Sequence, residues 1–316
     1  MARRVKVSAI SAWPVSDDFS EGPDGAVKKM KAHWDNELSN VLCDKPDLVV
    51  IPELCDRFGT FTPEQNLIYS FTPEQNLAYY RYRGDKLLRF FADYARENNC
   101  YIAYPHMRMD DNGTGTNCVA LFGRNGQTAG VYDKYHVPGT SGTCGNKAVV
   151  FDCDFGRVGA VICWDLNFYD ILKLYKEKKP ELVIFPSMYH GSFMQNFWAY
   201  ELRCYFVSAC AGKESAVINP VGEKIARTTN YFRYLTSTVN LDYCVIHLNG
   251  HFEKIAQIKA KHGDKVTMFD PGFLGAVLLT SETDEFFITD IIKEFELKLL
   301  DDYFDECLAG EIRKSI

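Results

Sequence analysis

The sequence predicts an α/β fold. Short β-branched runs alternate with amphipathic helical segments over the whole length, and no Pro-, Gly- or Ser-rich linker divides them. At 316 residues the chain is long enough for one large domain or two ordinary ones. The missing linker favours a single domain over 1–316, with the stretch after about 245 left unplaced.

Residues 5–10 read as the first strand, and 26–43 as a helix with Met30, Trp34, Leu38 and Leu42 on one face. "PDLVVIPE" (46–53) is a β-branched run stopped by Pro52, the form of a strand buried on both faces. A second amphipathic helix (86–98) precedes the strand "CYIAYP" (100–105). Strands "NCVALFG" (117–123), "TAGVYDKY" (128–135) and "GRVGAVIC" (156–163) follow, with Asn-Gly turns at 112–113 and 125–126. A helix (168–178) leads to "PELVIFPS" (180–187), a close echo of 46–53. Next come a helix (193–203), the strand "CYFVSAC" (204–210) and a hairpin (215–228) turning at Pro-Val-Gly. A strand (237–243) and a helix (251–261) lead to an acidic tail with helical leucines (284–313).

"FTPEQNLIYS" (61–70) is followed at once by "FTPEQNLAYY" (71–80). Two copies at a period of ten are too few and too short for a solenoid. They read as a small duplication lengthening a surface segment, with Thr62-Pro63-Glu64 as N-cap, N1 and first-turn acid.

The formal net charge of −7 argues against nucleic acid or an anionic membrane surface as the main partner. No run approaches the roughly 18 apolar residues of a membrane span, and the N-terminus lacks a signal-peptide core, so a cytoplasmic location is expected. The eleven cysteines are scattered without a Cys-x-x-Cys pair and read as free thiols. Cys100, Cys118, Cys204 and Cys244 sit in apolar runs and are expected to fill the core.

Glu53, Lys134 and Cys163 each end an apolar strand, and ligands of open α/β sheets gather beyond such ends. An acid, a base and a thiol there would form a nucleophilic site. A thiol with its ordinary pKa of about 8.5 is mostly protonated at neutral pH. An ammonium about 4 Å away is worth about 4 kcal/mol at an effective dielectric near 20, enough to lower that pKa by about three units. Alternatively, Glu53 takes the thiol proton directly and returns it to a leaving amine. The Trp164 N–H, next after the thiol, is the candidate partner for an oxyanion. Spacing alone also allows a solvated ion pair and a core cysteine.

Together these stretches resemble the nitrilase, or carbon–nitrogen hydrolase, superfamily. "VVIPELC" resembles its glutamate motif, "YDKYHVP" its lysine motif and "GRVGAVICWDLNF" its cysteine elbow. "LVIFPS" and "VINPVGEKIA" resemble later family segments in the family's order, over roughly 5–245. The resemblance implies an αββα sandwich that dimerises into an αββα–αββα stack. It implies no metal or organic cofactor, and a small amide, carbamoyl or nitrile substrate. Carried onto this chain, Glu53 is the general base, Lys134 the oxyanion and orienting group, and Cys163 the nucleophile. The implied reaction is amide or carbamoyl hydrolysis through an acyl-enzyme, releasing ammonia. Trp164-Asp165 leans away from the runner-up, a nitrilase, whose members tend to show Trp-Glu.

Two departures stand out. Many members carry a second glutamate between the lysine and cysteine motifs; here there is none, with His136, Asp152 or an acid from elsewhere in the chain as candidate substitutes. The family's Arg-Ala-x-Glu-Asn helix motif is altered to "WAYEL", keeping Glu201. The missing glutamate motivates a third reading, a silent member acting in binding or assembly. His136, Met188 and Tyr189 are further expected pocket residues. His247 and His251 have helical metal-ligand spacing, but Gly250 between them and the lack of a third ligand argue against a site. Gly139, Gly142 and Gly145 mark a flexible loop without phosphate-loop chemistry.

Overall fold

The structure is a computed structural model; it describes residues 2–16, 19–58, 60–61, 68–69, 72–110, 112–138 and 143–314. Strand β1 (Arg4–Ile10) is followed by helix α1 (Gly22–Leu42), strand β2 (Leu48–Val50) and the short strands β3 (Thr60–Phe61) and β4 (Ile68–Tyr69). Helices α2 (Pro73–Arg83) and α3 (Lys86–Glu97) lead to β5 (Tyr101–Met109), β6 (Gly115–Phe122) and β7 (Thr128–Asp133). The second half runs β8 (Val150–Cys153), β9 (Gly156–Ala160), α4 (Tyr169–Lys178), β10 (Leu182–Ser187), α5 (Phe193–Leu202) and β11 (Tyr205–Cys210). The hairpin β12 (Ala216–Ile218) and β13 (Lys224–Arg227) precedes β14 (Tyr234–Asn240).

Two six-stranded sheets result, ordered β14-β1-β2-β5-β6-β7 and β13-β12-β11-β10-β9-β8. Alternation along each central strand sends every second side chain into one shared core: Val7, Val50 and Ala103 from one sheet meet Ala160, Ile184 and Val207 from the other. The opposite faces take helices. Met30, Trp34 and Leu38 of α1 and Phe91 of α3 cover Val49 and Ile102. Tyr175 of α4 and Trp198 of α5 cover Val183 and Phe206. The architecture is the αββα sandwich that the resemblance implies. Along α1 the buried stripe ends at Val41, with Leu42 half-buried, because 3.6 residues per turn carry the face round by one position.

The four cysteines expected in the core are buried, and all eleven are free thiols. Of the duplicated segment, 62–67 and 70–71 lie outside the described residues, and with them the cap expected at Thr62. In the second copy, Thr72 accepts a hydrogen bond from the Gln75 N–H in a capping box, with Pro73 in the first turn of α2.

The stretch after 245 contains the helix expected over 251–261, set among strands that the sequence did not place. Strand β15 (Tyr243–His247), helix α6 (Phe252–His262), β16 (Val266–Phe269) and β17 (Ala276–Ser281) build a three-stranded antiparallel sheet ordered β15-β17-β16. Helix α7 (Ile288–Glu294) packs Ile288 and Ile291 on it, and α8 (Leu300–Lys314) is the last element among the described residues. This unit meets the sandwich at the N-terminal ends of its strands. The Tyr243 hydroxyl donates to the Arg203 carbonyl (2.6 Å), and Asn240 Nδ2 to the Ser281 carbonyl (2.7 Å). Among the described residues no helix is long and apolar enough to cross a membrane.

Candidate active site

The glutamate loop leaves β2 after Val50 and turns sharply at Leu54, whose φ is +51°. Buried anchors hold it. The Cys55 N–H donates to the Pro105 carbonyl (3.1 Å), and Trp34 Nε1 to the Cys55 carbonyl (2.7 Å). Asp56 is wholly buried; it pairs with Arg83 at the end of α2 and accepts the Tyr104 hydroxyl (2.8 Å).

Lys134 directly follows β7. Its N–H donates to the Asn117 carbonyl (2.9 Å), and its own carbonyl accepts the Gly145 N–H (2.7 Å). A Cβ at Gly145 would lie 2.2 Å from the Asp133 carbonyl oxygen, so this return of the loop needs glycine.

Strand β9 ends at Ala160, earlier than the sequence suggests, and Cys163 opens a 3-10 turn, Cys163–Asn167. Cys163 has φ +48°, an uncommon conformation for a side chain other than glycine, often found where function demands it. Asp165 secures the turn: it accepts the Ile162 N–H (3.0 Å), the Tyr132 hydroxyl (2.7 Å) and the His136 N–H (2.6 Å). Burial raises its pKa, and these three donors act the other way. Trp198 Nε1 donates to the Leu166 carbonyl (2.9 Å) and braces the same turn from behind.

These anchors bring Glu53, Lys134 and Cys163 onto one cavity of about 300 Å³, whose wall also includes Arg57, Asn117 and Met188. Glu53 and Lys134 are only 2% and 3% exposed. The Glu53 carboxylate accepts three hydrogen bonds: Lys134 Nζ (2.7 Å) and Asn117 Nδ2 (2.7 Å) on Oε1, and the Met188 N–H (3.0 Å) on Oε2. Burial is the largest single influence on the Lys134 ammonium and acts against it, but the charge and hydrogen bond of Glu53, with Cys163 and Asp165, together hold the pKa above the ordinary lysine value.

The thiol behaves differently from the electrostatic expectation. Burial first, then the Glu53 charge, pushes Cys163 up to about 12; Lys134 only partly offsets them. A lysine alone does not preform the thiolate in this cavity, because burial and the Glu53 charge together exceed its pull. The Glu53 carboxylate and Ser187 hydroxyl are hydrogen-bond neighbours of the thiol, so the direct proton route has a path.

The other expected pocket residues divide. Met188 is on the cavity wall; His136 and Tyr189 are not among the residues lining it. The His136 ring stacks on Phe168 (3.8 Å between centroids), and its Nε2 meets Asp170 (2.9 Å), which draws it away. The Tyr189 ring packs against Trp164 (5.9 Å) and Phe185 (6.3 Å). Asp152, the other candidate for the missing glutamate, is exposed on edge strand β8 beside Arg157. Among the described lining residues Glu53 is the one carboxylate, and the group beside it is the neutral Asn117 amide. Glu201 pairs with Lys176 on the surface. His247 ends β15 and stacks on Tyr303, while His251 begins α6 and holds the His247 carbonyl (2.7 Å) and the Lys298 N–H (3.0 Å) through its two ring nitrogens, so the pair does not share a helix face. Gly139 and Gly142 lie outside the described residues.

Sequence reasoning missed Asn117, Arg57 and Asp165. Asn117 carried one signal, a polar amide opening an otherwise apolar strand; Asp165 carried another, an acid two residues after the thiol, which the structure buries completely.

An αββα sandwich with a thiol, an ammonium and a carboxylate beyond its strand ends defines a class of protein. The carbon–nitrogen hydrolase family profile matches residues 25–245, and the chain belongs to that family. Omega-amidase NIT2 of Xenopus tropicalis is 25% identical over 178 residues, 47% of this chain and 64% of the relative. The Homo sapiens protein is 25% identical over 179 residues, 48% and 65%. The chain thus aligns with somewhat under two thirds of these relatives' length. Among solved structures, the Helicobacter pylori carbon–nitrogen hydrolase has a TM-score of 0.62 at 17% identity, covering 82% of this chain and 92% of its own. Saccharomyces cerevisiae Nit3 has 0.55 at 16%, covering 81% and 93%. These two support the fold.

Proposed function

We propose that the chain is a cysteine amidase that hydrolyses a non-peptide C–N bond through an acyl-enzyme. The observation that carries this reading is the convergence of Glu53, Lys134 and Cys163 on one cavity. The Cys163 sulfur attacks the amide carbonyl carbon as Glu53 takes the thiol proton. Lys134 Nζ and the Trp164 N–H, at the head of a turn whose first N–H groups lack helical acceptors, hold the oxyanion. Glu53 returns its proton to the nitrogen, the C–N bond breaks, and ammonia leaves a thioester on Cys163. Glu53 then takes a proton from water, which attacks the thioester; the acid departs and the proton returns to sulfur. A thiol held near 12 suits this order, since the nucleophile forms only as the bond forms.

The omega-amidase names of the relatives support an amide over a nitrile. A homodimer belongs to the same proposal. Tyr169 and Phe193, at the starts of α4 and α5, are 61% and 71% exposed and give a second copy an aromatic surface.

The test is acid-quenched intact-mass spectrometry during turnover of small primary amides. An acyl adduct on wild-type protein that disappears in Cys163→Ala is expected. Full turnover by Cys163→Ala would overturn the mechanism. Iodoacetamide labelling of Cys163 should keep rising between about pH 6 and 9, because a pKa raised to about 12 leaves the thiolate a minority there. A plateau in that window would mean a preformed thiolate.

A further inference from the structure

Asn117 holds one side of its amide to Glu53 and leaves the other unused. A carboxylate only accepts, so the group 2.7 Å from Glu53 Oε1 must be the Nδ2 amide, which fixes Oδ1 on the other side. Asn117 lines the cavity and is 8% exposed, and its buried Oδ1 has no hydrogen-bond partner among the described residues. An unpaired buried acceptor costs about 1–3 kcal/mol, so a ligand that pairs it gains that back on binding.

We propose that Asn117 Oδ1 accepts an N–H of the scissile carboxamide and aims its nitrogen at Glu53. This rests on the amidase reading and deepens it. The leaving nitrogen must come within hydrogen-bond reach of Glu53 to receive its proton; Asn117 Nδ2 already lies within that reach, and the same amide carries Oδ1 beside it. A primary amide offers two N–H donors; a nitrile nitrogen offers none and an ester oxygen none. The acceptor therefore selects amides over nitriles of the same shape. Asp152 and His136 are directed elsewhere, and the neutral Asn117 amide is the side chain that stands beside Glu53 with Lys134.

The test compares kcat/KM for a primary amide and the methyl ester of the same acid in wild type, Asn117→Leu and Asn117→Ala. Losing the Nδ2 contact to Glu53 weakens both substrates. Losing the Oδ1 acceptor weakens only the amide. The expected result is an amide-to-ester ratio lowered at least about fivefold in either variant. Asn117→Ala supplies the reading if the bulkier leucine prevents folding, which thermal unfolding reports. Equal losses for amide and ester would overturn the proposal and leave Asn117 as a support for Glu53 alone. A wild-type protein that hydrolyses neither substrate would overturn the amidase reading itself, and this inference with it.

Discussion

The segments "PDLVVIPE" (46–53) and "PELVIFPS" (180–187) are near copies that end in different chemistry. Each lies inside its own six-stranded sheet with parallel neighbours, β2 between β1 and β5, β10 between β9 and β11. Their faces match in phase. Leu48 and Val50, like Leu182 and Ile184, enter the core between the sheets; Val49 and Ile51, like Val183 and Phe185, face the helices. They part at the proline. Strand β10 continues through it, pairing Pro186 with Ala209 and Ser187 with Cys210. Strand β2 stops at Val50, and the chain swings through Pro52 to Glu53. The same apolar pattern therefore makes the same strand twice. What it delivers at its end depends on what seizes the chain next: Trp34, Pro105 and the Asp56–Arg83 pair at the first end, continued sheet pairing at the second.

The largest effect should come from exchanging the chemistry at the two ends. On the proposed mechanism, Glu53→Gln keeps the shape but removes the base, and should lower kcat/KM for amides by about 10²–10⁴-fold. Ser187→Ala, at the matching end, should cost less than about tenfold, since its hydroxyl is only a neighbour of the thiol. Similar losses in the two variants would end the distinction between proton carrier and bystander.

The next effect tests the anchor found only at the first end. Arg83→Met leaves Asp56 charged and buried without its partner, and should destabilise the fold by about 3–5 kcal/mol in urea unfolding. Arg83→Met with Asp56→Asn should recover part of that loss, because no uncompensated charge remains. A single variant as stable as wild type would remove the ion pair from the account.

The smallest effect concerns the duplication. Thr72→Ala deletes the cap of the helix that delivers Arg83, and should cost about 1 kcal/mol with unchanged KM. The second copy of "FTPEQNL" thus supports the glutamate loop structurally although it carries no chemistry.

Much of the site was legible in order rather than in contact. The strand ends at Glu53, Lys134 and Cys163 followed from where apolar runs stop. The four core cysteines followed from their apolar neighbours. His136 and Tyr189 were not legible, because proximity in sequence to Lys134 and Met188 says nothing about the pull of Asp170, Phe168 or Trp164 on their rings. The sheet β15-β17-β16 was missed because its strands are short and the Pro271-Gly272 turn between β16 and β17 sits in a connection longer than a two-residue hairpin.

By itself the sequence determined the alternation of strands and helices, the face each buries and the residues standing at the strand ends, since these depend on periodicities of two and 3.6 residues that neighbours along the chain set. Only the tertiary structure decided that Lys134 pairs with Glu53 across 81 residues of chain, that burial and Glu53 push the thiol pKa up, and that Asn117 Oδ1 has no partner among the described residues. Hydrogen bonds and charges act over a few ångströms in space, and separation along the chain does not report that distance.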